Sequence, residues 1–135
     1  MLSWFEKNYK LSFVIALTIA IIIFYLSSLT FPPALESTPN IKSTLYHFFI
    51  FFFLSLFLLI STIKGNHKNL SFIPIIITIS IIYGITDELH QFLTPGRATS
   101  LSDILTNSLG ILLSSLLYSI TLVYRNNFTT KYNKK

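Results

Sequence analysis

LSFVIALTIAIIIFYLSSL, residues 11–29, runs for nineteen residues without a charge, and Lys7 and Lys10 stand just before it. At about 1.5 Å of rise per residue, a helix of this length crosses a hydrocarbon core of roughly 30 Å. The property recurs outward from this stretch. Residues 43–63 carry no charge and hold the apolar run Phe48 to Phe53, residues 71–86 are uncharged, and so are residues 104–124. Only 11% of the 135 residues are charged and 52% are hydrophobic, whereas a soluble domain carries about 25% charged residues. A soluble core of this size cannot absorb so much apolar helix. These numbers exclude a soluble enzyme, a disordered tail and a separate extramembrane domain. Phenylalanine and isoleucine favour strands in water, but a lone strand in lipid leaves its backbone unpaired, so each block is expected to be helical.

The expected architecture is all-α: one domain over residues 1–135, an integral membrane four-helix bundle with spans at about 11–29, 43–63, 71–93 and 102–124. The first block is longer than the roughly 7–15 apolar residues of a signal peptide and runs into Pro32-Pro33, so a retained span is expected. Residues 31–41, with Pro32, Pro33 and Pro39, read as a loop, and Thr94-Pro95-Gly96 ends the third helix. Lys7, Lys10, Lys64, Lys68, Arg125, Lys131, Lys134 and Lys135 fall on one side of such a bundle, and only Lys42 and Arg97 on the other. This imbalance places both termini and the middle loop in the cytoplasm, with the chain arranged as two helical hairpins in the cell membrane. The net charge of +5 sits at span ends rather than on one face, which argues against a nucleic-acid partner. The chain has no cysteine, which excludes disulfides and thiolate chemistry. Single cysteines introduced at positions 36 and 67 should therefore label from opposite sides of the membrane; labelling from one side would overturn the four-span arrangement.

The ionisable residues away from the basic ends fall at one depth. His47 is about one turn into the second span; Asp87, Glu88, His90 and Gln91 occupy the outer turns of the third; Arg97 is in the outer turn; Asp103 and Asn107 open the fourth. Gly84, Glu88 and Gln91 share one helical stripe, Tyr83, Asp87 and His90 the next, and Asp103, Asn107, Gly110 and Ser114 form a stripe of small and polar residues suited to close helix contact. Carboxylates inside a membrane are costly, and adjacent acids face different directions, so Asp87 and Glu88 require a polar interior. They are the candidate acid/base pair. Arg97, Gln91, Asp103, Asn107, His47 and His90 are the candidate ligand-binding residues, with Arg97 as the organising cation whose planar fork suits a carboxylate or an anionic ligand.

Plainer roles stand beside these. Asp103 fits a helix cap as Ser100-Leu101-Ser102-Asp103, His47 fits a buried satisfied histidine, and Arg97 fits a snorkelling anchor. Tyr9, Tyr25, Tyr118 and Tyr124 read as interface anchors, and His67 as a solvated loop residue. Asp87-x-x-His90 places two possible metal ligands on one face, and Glu88, His47 and Asp103 could complete a shell, but the pair is a weak signature without an accompanying HExxH, so neither metal nor cofactor is expected. No GxSxG elbow or glycine-rich phosphate loop is present.

The run YGITDELHQFLTPGRATSLSDILTNSLG, residues 83–110, resembles the VanZ-like family of small membrane proteins. The resemblance rests on Asp87, Glu88, Gln91, Pro95, Gly96, Arg97, Ser100, Asp103, Asn107 and Gly110. The family often shows Asp-Lys followed closely by His at the start of the second span; here Asn40-Ile41 stand at the acid's place, and Lys42 and His47 are five apart. The resemblance implies a four-helix membrane protein from a family linked to resistance to the glycopeptide teicoplanin. Two functional classes follow. One is a cell-envelope factor whose outward polar site binds a lipid head group or an amphiphilic small molecule. The other is a membrane-embedded enzyme acting on a lipid-linked substrate with Asp87 or Glu88 as acid/base. Transport is a third, for which four spans would have to oligomerise to enclose a path.

Overall fold

The computed structural model describes residues 1–30, 41–97 and 99–132, with the side chains of 67 and 128–132 left undescribed. The expected outer loop at 31–41 lies almost wholly outside these residues, as do Glu36, Lys134, Lys135 and the His67 and Lys131 side chains. The described chain is helical: α1 (Leu2–Lys7), α2 (Tyr9–Ser27), α3 (Ile41–Ile63), a 3₁₀ segment (His67–Phe72), α4 (Ile73–Phe92) and α5 (Leu101–Tyr132). Four helical segments among the described residues are long and apolar enough to cross a membrane: Tyr9–Ser27, Ile41–Ile63, Lys68–Phe92 and Leu101–Asn127. Pro74 falls in the first turn of α4, where its missing N–H leaves no intrahelical bond unmade.

Helix α3 is the centre of the bundle. It packs against α2, α4 and α5, and its contact with α5 is the most extensive in the molecule. The pairs α2–α3 and α4–α5 are thus joined mainly through α3 and α5, which are not neighbours in the chain. One apolar cluster (Ala16, Ile23, Phe51, Leu54, Ile111) lies around α2, α3 and α5, and a second (Leu59, Ile60, Ile63, Ile76, Tyr118, Leu122) fills the other half. Outer faces carry exposed apolar side chains such as Ile21, Phe49, Ile79, Leu109 and Leu116, the surface that lipid rather than water would cover.

The stripe read on the last span is the packing face. Asn107, Gly110 and Ser114 are buried, and Asp103 is half-buried. A Cβ at Gly110 would lie 2.3 Å from the Phe48 carbonyl oxygen and 3.1 Å from the Phe52 nitrogen. Backbone therefore meets backbone where α5 crosses α3, a contact only glycine allows.

The chain departs from the sequence-based expectations at its basic end. Helix α1 forms before the first span, and α5 continues to Tyr132, past the expected limit at 124. One interaction links both departures. Glu6 is buried, and Arg125 grips it with two hydrogen bonds, Nη1 to Oε2 at 2.8 Å and Nη2 to Oε1 at 2.7 Å. Tyr118 donates to the same carboxylate at 3.1 Å. Tyr118 is thus a core residue at 1% exposure rather than an interface anchor, because its hydroxyl has a buried partner. Tyr9 lies under the Lys64 ammonium, 3.9 Å from its ring centre, while Tyr25 and Tyr124 are exposed. The N-terminal helix, the Arg125 turn of α5 and the turn at 64–66 therefore meet at one end of the bundle, which is the basic one. The polar residues of the candidate site gather at the other.

Candidate functional site

The site is assembled by the C-terminal ends of α2 and α4 and the N-terminal portions of α3 and α5. Asp87 and Gln91 are one turn apart on α4 and face α2. Ser27 Oγ donates to Asp87 Oδ1 at 2.6 Å, and Gln91 Nε2 donates to Asp87 Oδ2 at 2.9 Å and to Ser27 Oγ at 3.3 Å. All three side chains are buried. Each carboxylate oxygen of Asp87 therefore has a donor, the condition for holding an acid in an apolar interior.

Glu88, the next residue, is turned toward α3 and α5. His47 Nδ1 lies 3.8 Å from Glu88 Oε1 and donates to Asn107 Oδ1 at 3.1 Å. Glu88 is 3% exposed, and neither of its oxygens has a hydrogen-bond partner, although the Ser100 main chain lies nearby. Asn107 Nδ2 is also buried without a partner. Gly84, a turn before Glu88, gives this layer room: a Cβ there would sit 3.6 Å from Asn107 and 3.3 Å from the Phe51 ring.

The remaining candidates are placed differently. His90 leaves the cluster, sharing a 2.9 Å hydrogen bond with Ser28 Oγ and stacking on Phe24. The Asp87-x-x-His90 pair is therefore not one ligand set, because the helix turn between them points His90 to the rim of α2. Arg97 donates from Nε to the Leu29 carbonyl at 3.1 Å and from Nη2 to the Leu26 carbonyl. Its fork closes the C-terminal end of α2, where carbonyls lack intrahelical donors. Gly96 before it has φ +75°, the left-handed conformation expected of that turn. Burial lowers the Arg97 guanidinium's pKa from its ordinary value, while Asp87 and Glu88 nearby oppose the shift. At the start of α5, Ser100 Oγ accepts from the Ser102 N–H at 3.1 Å, so Ser100 caps the helix through its second amide rather than through that of Asp103.

Two groups escaped the sequence reading. Ser27, the first of two adjacent serines at the end of the first span, orients Asp87. Glu6 stands as a lone acid among lysines, which is the one sequence signal that it has a partner.

Between α4 and the start of α5 an open groove of about 310 Å³ runs over this layer. Ile85, Leu89, Phe92, Leu101 and Ile104 form its apolar wall, and Glu88, Thr99 and Ser100 its polar end.

A sequence model of the family described as VanZ/LLP1 matches residues 6–123. No curated protein and no solved structure matches the chain. The matched segment contains Glu6, Tyr118 and the whole polar layer, and stops two residues before Arg125.

Proposed function

This chain belongs to the VanZ/LLP1 family, and from that premise we propose that it is a cell-membrane protein that binds an amphiphile in the α4–α5 groove. The groove itself carries the reading. Its apolar wall suits an acyl chain or similar tail, and its polar end suits a head group that donates hydrogen bonds to Glu88, Thr99 or Ser100. Glu88 favours such a head because its carboxylate is buried and lacks donors. In this reading the basic end is cytoplasmic, the polar layer faces outward, and the ligand comes from the lipid or envelope side. An amphiphilic glycopeptide antibiotic is one member of that ligand class, which is how the reading meets the family's link to antibiotic resistance.

One observation also bears on membrane enzymology. Asp87 is held on both oxygens, so Glu88 is the residue that acid/base chemistry on a bound head group would use.

Lipid retention tests the proposal. The wild-type protein, delipidated in detergent and examined by native mass spectrometry, should keep about one amphiphile per chain. Ile104→Trp, which fills the groove, should lose it, whereas Leu116→Trp, which is exposed and outside the groove, should keep it. Equal retention in both variants would remove the groove from the function.

A further inference from the structure

We propose that His47, Asp87 and Glu88 form a binding site for one divalent transition-metal ion of the zinc or manganese class. One ring nitrogen of His47, one oxygen of Asp87 and one of Glu88 lie within 4.8 Å of one another, and this is the group of that kind among the described residues. Ligands about 2.0–2.2 Å from a shared ion stand roughly 3–4 Å apart, so small side-chain adjustments close the site. The three residues come from two helices, with His47 on α3 and both acids on α4.

Charge makes the case independently of spacing. His47, Asp87 and Glu88 are 5%, 6% and 3% exposed, inside a bundle whose outer faces are apolar. Asp87 has a donor on each oxygen, yet Glu88 has none on either, and Asn107 Nδ2 beside the histidine is also unsatisfied. A buried carboxylate with no side-chain donor requires a proton or a cation, and at Glu88 that cation is either a protonated His47, 3.8 Å away, or a bound ion. A divalent ion held by neutral imidazole and two carboxylates leaves the site with no net charge. Mixed nitrogen and oxygen donors suit zinc and manganese, whereas magnesium and calcium prefer oxygen throughout. Ser27 and Gln91 would orient Asp87. The ion would lie beside Glu88 at the polar end of the groove, but the metal site does not depend on the groove binding anything.

The test uses the full chain in detergent, freed of any histidine tag and stripped with chelator. Titration with zinc or manganese chloride alone, followed calorimetrically and by elemental analysis after desalting, should give about one ion per chain and a higher melting temperature. Glu88→Gln and His47→Gln should each weaken binding about 100-fold or more. His67→Gln, which removes a histidine at the opposite end, should leave it unchanged. Glu88→Gln should keep or raise the melting temperature of the metal-free protein, because it removes an uncompensated buried charge; this separates lost binding from lost folding. The proposal is overturned if the stripped wild type takes up less than a tenth of an equivalent with no thermal shift, the result expected if Glu88 simply holds a proton. It is equally overturned if Glu88→Gln and His47→Gln bind as the wild type does.

Discussion

Gly110→Ala should lower the stability of the folded bundle by about 3 kcal/mol or more, at the upper end of what overpacking a core costs. The new methyl group would meet the Phe48 carbonyl at 2.3 Å, and the obstacle is main chain, which cannot rotate aside. Restoring ordinary contact requires α3 and α5 to separate by about 1 Å along their most extensive interface. His47 adjoins Phe48 and Asn107 lies one turn before Gly110, so the same displacement should loosen the 3.1 Å hydrogen bond between them. Two comparators isolate the effect. Gly84→Ala meets a phenylalanine ring at 3.3 Å that can give way, and should cost less than about 1 kcal/mol. Leu112→Phe, half exposed on another face, should be tolerated. Thermal unfolding in detergent checks all three, and a Gly110→Ala melting point equal to that of Gly84→Ala would show that the helices do not meet there.

The second large effect is expected at the basic end. Arg125→Ala leaves the Glu6 carboxylate, 6% exposed in the native bundle, with only the Tyr118 hydroxyl as a side-chain partner from α5. Removing one member of a fully buried ion pair costs about 3–5 kcal/mol. Arg125 is 35% exposed, so water screens part of the interaction and about 2 kcal/mol is the better expectation. Glu6→Leu combined with Arg125→Leu should recover most of this, since it removes the charge together with its partner. A double-mutant cycle measured by thermal unfolding reads the coupling directly. A double variant as unstable as Arg125→Ala would show that the pair's geometry, rather than its charge, holds the two ends.

These two sites differ in how far the sequence announced them. Gly110 lies on a stripe with Asn107 and Ser114, and the period of the helix is enough to identify a close-packing face. The gathering of His47, Asp87, Glu88 and Asn107 at one depth was legible for a similar reason: uncharged runs of membrane length fix where each polar residue stops. Which polar atoms pair was not legible. Asp87 and His90 share a stripe, yet Asp87 binds Ser27, 60 residues away, while His90 turns to Ser28. Serine is frequent in apolar helices and usually bonds its own backbone, as Thr18 and Thr78 illustrate for hydroxyls here, so composition does not distinguish Ser27. Arg97 shows the same limit: its place in the turn was readable, but its bonds to the Leu26 and Leu29 carbonyls depend on where α2 ends. The continuation of α5 beyond the fourth span was not legible, because a charge after an apolar run ordinarily marks the water boundary, whereas Arg125 turns back to a buried acid.

The Glu6–Arg125 clasp also sets an order of events during synthesis. Its members are 119 residues apart, and at translation rates of about 5–20 residues per second some 6–24 s pass between their emergence. For that interval the glutamate's eventual partners, Arg125 and Tyr118, do not yet exist. The N-terminal segment has to keep its carboxylate hydrated or transiently neutral while four helices are laid down. Helix α1 already meets α3 through Phe5 and Phe57, but pairing of its carboxylate is a late event that depends on the last helix, and a ribosome stalled before residue 118 would present Glu6 with neither partner.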